Sequence, residues 1–99
     1  MCEFKIIKKN DGSQILEDIV VIYYTENNEL LFKDVLGMGE RLDSALILSV
    51  NTLNQKCEIV EHPLIKDFIK LIKKFTEKGA IKSDIDDFKT KLDEFKMEI

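Results

Sequence analysis

The chain is short of the residues from which most active sites are built. Among its 99 residues are one histidine, His62, two cysteines and a single proline. No Gly-x-Ser-x-Gly, P-loop or Gly-x-Gly-x-x-Gly motif occurs, and Gly37-Met38-Gly39 is typical of a tight turn because the rest of a phosphate-binding fingerprint is missing. No motif brings a nucleophile, a base and an orienting group together, so we predict that the protein is not an enzyme.

The two cysteines, Cys2 and Cys57, do not form a familiar metal or disulfide pattern. No CxxC motif or Cys/His cluster accompanies either of them, so a metal site would have to be shared between chains. A disulfide framework is not expected in a reducing compartment. Cys57 lies in a strand-like segment beside Ile59, where a cysteine behaves as a small hydrophobic residue, and we predict that it belongs to the core.

Long hydrophobic runs are absent as well. The longest apolar stretch, residues 19–24, is far too short to cross a bilayer. The opening Met-Cys-Glu-Phe-Lys lacks the basic start and the long apolar segment of a secretory signal. We therefore expect a cytoplasmic protein that does not act at a membrane.

Charge is divided unevenly along the chain. Residues 1–61 carry six basic and eleven acidic side chains, whereas residues 62–99 carry nine basic and eight acidic ones. An acidic first part is a poor match for nucleic acid, whose affinity comes from lysine and arginine at the phosphates. The one candidate basic patch lies in the second part, and we interpret it as a solvated helix face. It consists of Lys66, Lys70, Lys73, Lys74 and Lys78.

Residues 1–61 have the pattern of short antiparallel strands. Asp11-Gly12 between two runs of β-branched and apolar residues is a strong hairpin signal. The longest run ends with apolar residues on both faces, as expected for a central, strongly bent strand. We predict five strands that form a small SH3-like or Sm-like antiparallel β-barrel. The predicted strands lie at residues 3–6, 15–24, 30–36, 45–51 and 57–60.

Residues 62–99 change to a helical period. Pro63 suits the first position of a helix, Gly79 supplies a stop, and Ser83 with Asp86 three residues later resembles a capping box. Opposite charge and facing apolar stripes predict an antiparallel helical hairpin. The seam of its second helix consists of Ile85, Phe88, Leu92, Phe95 and Ile99. The predicted fold class is thus α+β, with a β-domain over residues 1–61 and a C-terminal helical hairpin over residues 62–99.

Cys2 stands apart because it follows Met1 and so lies beside the amine of the chain. That amine, the amide nitrogen of Cys2 and its thiolate can form two fused chelate rings. If Met1 is removed, the amine and thiolate of Cys2 form one five-membered ring. Either set suits Ni(II) or Cu(II) in a square-planar field. The alternative is an exposed terminal thiol without a role, since termini are usually disordered.

Several segments of the first sixty residues resemble a known family. The opening Met-Cys-Glu-Phe and the stretches 15–20, 32–37, 50–53 and 59–61 are similar to the CooT family of small nickel-binding accessory proteins, which are linked to maturation of carbon monoxide dehydrogenase. Relatives have also been described as predicted RNA-binding proteins. The resemblance implies a small barrel, a homodimer, and a metal held near the dimer axis by the cysteine at position two, here Cys2. Residues 62–99 depart from the short form of the family.

The expected function follows from this resemblance and from the donor chemistry. We expect a nickel-binding accessory protein that holds Ni(II) through Met1 and Cys2 in a homodimer and supports the maturation of a metalloenzyme client. The alternative is a non-catalytic module that binds protein or RNA, in which Phe32, Tyr23 and Tyr24 would stack on bases.

The two predicted helices leave apolar surface that a homodimer could cover. The first predicted helix has a wider apolar stripe than the narrow seam of the second helix can cover. We expect the remainder, at Ile65, Ile69 and Ile72, to meet the barrel or a second chain, because large exposed apolar patches mark contacts. Two such hairpins could pair into a four-helix arrangement.

Overall fold

The computed structural model describes residues 3–77, 79 and 81–99. It contains a six-stranded sheet followed by two helices, which confirms the α+β class and the two C-terminal helices. The strands are β1 Phe4–Lys8, β2 Ser13–Tyr24, β3 Leu30–Asp34, β4 Gly39–Leu42, β5 Ala45–Asn51 and β6 Lys56–Glu61. The helices are α1 Pro63–Glu77 and α2 Lys82–Lys96.

The sheet is mixed rather than antiparallel throughout. Its strand order is β4-β3-β2-β1-β6-β5, and β1 runs parallel to β6 while every other pair of neighbours is antiparallel. The first strand of the chain therefore lies inside the sheet, between β2 and β6. This parallel pairing joins residues about fifty positions apart, which is why local sequence patterns did not reveal it.

The prediction of five strands was wrong because β4 was read as part of a bend. β4 has only four residues, Gly39–Leu42, and carries charged side chains at its centre, so it shows no apolar alternation. It begins at a glycine for a steric reason. A Cβ atom on Gly39 would lie 2.0 Å from the carbonyl oxygen of Phe32 in β3, so only glycine allows the two strands to approach here.

The prediction of a closed barrel was also wrong. β4 and β5 form the two edges of the sheet, although only Asp43 and Ser44 separate them in the chain. Across the described residues, no ladder joins these two strands. The hydroxyl of Tyr24 instead donates to the carbonyl of Ala45 at 2.8 Å and accepts from the amide of Ile47 at 3.2 Å. The side chain of Tyr24 thus bonds to two backbone groups at the free edge of β5. In a closed barrel, a neighbouring strand would pair with these groups.

β2 is the long, bent strand that the sequence predicted. Its twelve residues pair with β1 in the first half and with β3 in the second, and Ile19 has a partner in both. Asp18 adopts a positive φ of 59°, and the register shifts between Ile19 and Val21. These irregularities bend the strand and allow it to pair with both β1 and β3.

The hydrophobic core lies within the sheet part. All its fully or nearly buried members come from β1, β2, β3, β5 and β6, and both helices lack a buried residue among those described. The core cluster consists of Ile6, Ile19, Leu30, Phe32, Ala45, Cys57 and Ile59. The predicted core position of Cys57 is confirmed, since its exposed fraction is 0%.

The two helices form the predicted antiparallel hairpin. Three contacts show their direction, because residues early in α1 meet residues late in α2. The rings of His62 and Phe95 lie 4.8 Å apart, and those of Phe68 and Phe88 lie 5.9 Å apart. At the other end, the ammonium of Lys74 lies 2.7 Å from the carboxylate of Asp84.

The start of α2 differs from the prediction. Ser83 lies inside the helix, and Asp84 rather than Asp86 is the acidic residue that caps its first turn. The carboxylate of Asp84 accepts a hydrogen bond of 3.0 Å from the backbone amide of Ile81. An acidic side chain in the first turn also interacts favourably with the helix dipole.

The hairpin is joined to the sheet at the short link between β4 and β5. The hydroxyl of Ser44 donates to the carbonyl of His62 and accepts from the amide of Lys66 at 2.9 Å. The ammonium of Lys66 lies 2.7 Å from the carboxylate of Asp43. These contacts all involve the first turns of α1, so the remainder of the hairpin extends beyond them. Whether residues 1–61 and 62–99 behave as separate domains stays a prediction.

Candidate functional site

The predicted metal ligands, Met1 and Cys2, lie outside the described residues. The nearest described strand residue is Phe4, which pairs with Ile19 of β2. Lys5 pairs with Lys56 of β6 and donates its amide to the carbonyl of Gln55 at 2.9 Å. The described chain therefore begins in the interior of the sheet, with neighbouring strands on both sides.

Cys57 is unsuited to metal binding. Its side chain is fully buried in the core, and burial raises the pKa of its thiol. A metal ligand must be deprotonated, and a raised pKa disfavours the thiolate. Over residues 3–77, 79 and 81–99, no group of three or more histidine, cysteine, aspartate or glutamate side chains is arranged to hold a metal ion.

His62 has a structural role in the fold. Its Nδ1 accepts a hydrogen bond of 3.1 Å from the amide of Leu64, which caps the start of α1. Its ring packs against Phe95 near the end of α2. The one histidine of the chain thus joins the start of α1 to the end of α2.

The glycine segment after β3 is a turn, as the sequence predicted. Gly37 has a positive φ of 82°, and its amide donates to the carbonyl of Asp34 at 3.0 Å. The carboxylate of Asp34 accepts from the amides of Leu36 and Met38 at 2.9 and 3.0 Å. The amides of this turn are therefore largely occupied by Asp34.

The residues predicted to stack on bases are largely withdrawn from the surface. Phe32 is fully buried in the core, and the hydroxyl of Tyr24 is committed to β5. Tyr23 remains partly exposed at 44%. Stacking platforms need accessible aromatic faces, so these three residues do not make one.

The lysines of α1 line a groove against the turn between β2 and β3. The groove has a volume of about 560 Å³. Its lysines are Lys66, Lys70, Lys73 and Lys74, and its acidic residues are Glu26, Glu29 and Glu77. Lys66 and Lys74 are also paired with Asp43 and Asp84 outside it. This balance of charge favours a solvated helix face over a phosphate-binding surface. The fifth predicted lysine, Lys78, lies outside the described residues.

The two sides of the helical hairpin differ in character. One side is a groove between the helices that we call the polar groove, because six of its nine lining residues are charged, while Leu71 and Phe88 also line it. The other side is apolar. We define the apolar face of the hairpin as five side chains that are each between 42% and 49% exposed. They are Phe68, Ile72, Phe75, Ile85 and Leu92.

Comparison with known proteins provides no relative from which to transfer a function. No protein-family model matches the chain, and no curated protein matches it. Among the described residues, neither helix has the length and apolar character needed to cross a membrane.

Proposed function

We propose that this is a cytoplasmic, non-catalytic nickel-binding accessory protein that binds Ni(II) through the Met1–Cys2 region of a homodimer and supports the maturation of a metalloenzyme client. The contrast between the two cysteines carries the proposal. Cys57 is buried in the core with a raised pKa, which leaves Cys2 as the thiol on which metal chemistry depends.

The donor set around Cys2 fits nickel. A thiolate with adjacent backbone nitrogens is a mixed sulfur and nitrogen set, and such sets suit Ni(II) in a square-planar field. The Met-Cys-Glu opening and the resemblance to CooT proteins support the choice of metal. Binding must displace protons from these donors, so the affinity for nickel decreases as the pH is lowered.

A homodimer completes this proposal. One chain supplies one Cys2 thiolate, and a two-fold pair supplies two thiolates to a single ion. A dimer with a shared site binds one nickel ion per two chains. A small core also benefits from association, because a short chain buries a limited fraction of its surface.

A nickel titration of the full chain tests the metal site. Thiolate-to-nickel charge-transfer absorption is expected in the parent protein, is lost in Cys2→Ser and persists in Cys57→Ala. An N-terminal extension that blocks the amine is expected to weaken binding. Equal loss of absorption in both cysteine variants, or no absorption in the parent, contradicts the proposal.

The stoichiometry tests the dimer separately. Sedimentation equilibrium of the full chain with and without nickel is expected to show two chains per particle, with saturation at one ion per pair. A monomer that binds one nickel ion per chain through Cys2 would support a metal site at Cys2 but would contradict a site shared between two chains.

The alternative function, a protein-interaction module, is favoured by one observation. The apolar face of the hairpin is unpartnered in the described structure, and exposed apolar patches of this kind mark contact surfaces. A nucleic-acid role has less support, because the sheet part is acidic and Phe32 is buried. An accessory protein that delivers nickel also requires a surface for its client.

A further inference from the structure

The apolar face of the hairpin is only partly covered by the rest of the protein. α1 and α2 have 15 residues each, and no described residue of either is buried. Isolated helices of this length are marginal in water and depend on covering their apolar stripes. Asp43 and Ser44 bind the first turns of α1, while Phe75, Ile85 and Leu92 remain 49%, 42% and 43% exposed.

A regular row of lysines borders this face. Lys82, Lys89 and Lys96 recur every seven residues along α2, so they share one edge of the helix. All three are exposed, and none forms an ion pair with another side chain within the described part of the chain.

The polar groove shows on which edge the row lies. Phe68 of α1 and Phe88 of α2 contact each other through their rings. The residue directly before each of them, Asp67 or Asp87, lines the polar groove. Lys89 directly follows Phe88, so it lies on the opposite edge of α2, beside the apolar face. Lys82 and Lys96 share that edge with it. On α1, Ile69 follows Phe68 and takes the corresponding position.

The surface is therefore the apolar groove between the two packed helices, with the lysine row along its α2 edge. Charges that flank an apolar helical seam set the choice of partner helix. We propose that this groove docks an amphipathic helix of a partner protein that carries a row of glutamate or aspartate along one edge of its apolar stripe. The partner inserts its apolar side chains between the two helices and places its acidic row against Lys82, Lys89 and Lys96.

A second copy of the hairpin is a poor occupant of this groove. Its α2 would bring the same lysine row to the interface. The only acidic residues of its α1 helix, Asp67 and Glu77, line other surfaces, namely the polar groove and the groove against the β2–β3 turn. Asp86 and Asp93 of α2 are neighbours of its lysine row, three or four residues along the helix, and lie on the side of that row away from the apolar residues. Neither helix thus presents an acidic row next to its apolar residues.

The proposal is tested with two synthetic helical peptides, each about three heptads long. Both have leucine at the seam positions, one has glutamate at the flanking positions, and its twin has lysine there. Binding to the full chain is measured by fluorescence anisotropy at concentrations at which each peptide is monomeric. We expect the acidic peptide to bind about tenfold more tightly than its twin, the scale of two or three exposed charge pairs.

Charge-exchange variants make the test specific. The double variant Lys89→Glu and Lys96→Glu is expected to reverse the preference of the two peptides, whereas Lys91→Glu, which lies in the polar groove of the same helix, leaves it unchanged. Leu92→Ser is expected to weaken both peptides, and circular dichroism verifies that each variant keeps its helices. The Cys2→Ser variant is expected to bind the acidic peptide with the affinity of the parent chain, because this surface does not depend on nickel.

Three results would overturn the proposal. The first is equal affinity of the full chain for the two peptides, or binding of the acidic peptide that changes the amide chemical shifts of the sheet residues alone. The second is a full-length dimer that Leu92→Ser dissociates, which would assign the face to a second copy. The third is binding to vesicles of phosphatidylserine without binding to the acidic peptide, which would assign it to an anionic membrane surface.

Discussion

The hydroxyl of Tyr24 in β2 lies 2.8 Å from the carbonyl oxygen of Ala45 in β5, to which it donates a hydrogen bond. The same hydroxyl accepts from the amide of Ile47 at 3.2 Å. Burial is the main cause of the raised pKa of Tyr24, so the phenol keeps its proton to a higher pH than an exposed tyrosine does. One side chain thereby connects the central strand of an open sheet to its edge.

Replacing Tyr24 with phenylalanine is expected to destabilise the fold by about 1–3 kcal/mol, because it leaves the Ala45 carbonyl and the Ile47 amide without their partner. Urea unfolding followed by circular dichroism measures the change. Tyr23→Phe is the matched control, since Tyr23 is 44% exposed and makes no side-chain hydrogen bond within the described residues. Equal effects of the two variants would contradict the role of Tyr24.

Asn10 is expected to hold the β1–β2 turn against the end of β6. Its amide donates to the carbonyl of Glu61 at 2.9 Å, and its oxygen accepts from the amide of Glu61 at 2.9 Å. Asn10→Ala removes both bonds, and we expect a loss of about 1 kcal/mol in the free energy of unfolding. Hydrogen exchange at the Glu61 amide should accelerate.

Asn27 provides the control for Asn10. It lies in an exposed turn, and its side chain forms no hydrogen bond among the described residues. Asn27→Ala is expected to change the stability by less than about 0.5 kcal/mol. A comparable loss in both variants would show that the two bonds of Asn10 contribute little.

Gly39 is expected to tolerate no side chain. A Cβ atom at this position would lie 2.0 Å from the carbonyl oxygen of Phe32, so Gly39→Ala must separate β3 from β4. We expect a cost of at least about 2 kcal/mol, as for other severe steric changes. Glu40→Ala, at the next and exposed position, should stay within about 0.5 kcal/mol, and thermal unfolding compares the two.

The ion pair between Lys74 and Asp84 predicts an acid-sensitive hairpin. The hydrogen bond from Lys74, followed by that from the amide of Ile81, lowers the pKa of Asp84. A lowered pKa in the folded state contributes stability above the ordinary value of about 3.9, and that contribution is lost as the pH falls through the folded value. The hairpin should therefore loosen below about pH 4.

NMR titration of the Asp84 carboxyl measures this effect. In Lys74→Met the pKa of Asp84 should move upward towards its ordinary range, although the bond from Ile81 remains. Lys91→Met is the control, because Lys91 lines the same polar groove without being among the causes of the shift. An unchanged titration in Lys74→Met would contradict the assigned cause.

Local patterns were sufficient for the features that depend on local physics. The change from period 2 to a helical period placed the transition at Pro63, and the structure has α1 begin there. Strand-like surroundings placed Cys57 in the core, where it is fully buried. The glycines at 37 and 39 predicted a turn. Each of these depends on side chains within a few residues of each other.

The architecture of the sheet depended on contacts that no local pattern contains. The parallel pairing of β1 with β6 joins Lys5 to Lys56, and the bonds of Tyr24 reach β5, about twenty residues away. A short, charged edge strand such as β4 has no apolar alternation to reveal it. Five strands and a closed barrel were therefore predicted where the structure has six strands and two unpaired edges.

The candidate sites divide in the same way. The sequence alone was sufficient for the core position of Cys57 and for the heptad spacing of Lys82, Lys89 and Lys96, because these depend on residue type and interval, while the metal site at Cys2 stays a prediction. Only the tertiary structure decided which flank of α2 remains free. The Lys74–Asp84 pair shows that one flank of α2 lines the polar groove. Because the spacing of side chains around a helix is fixed, the lysine row lies on the other flank of α2, beside the apolar face.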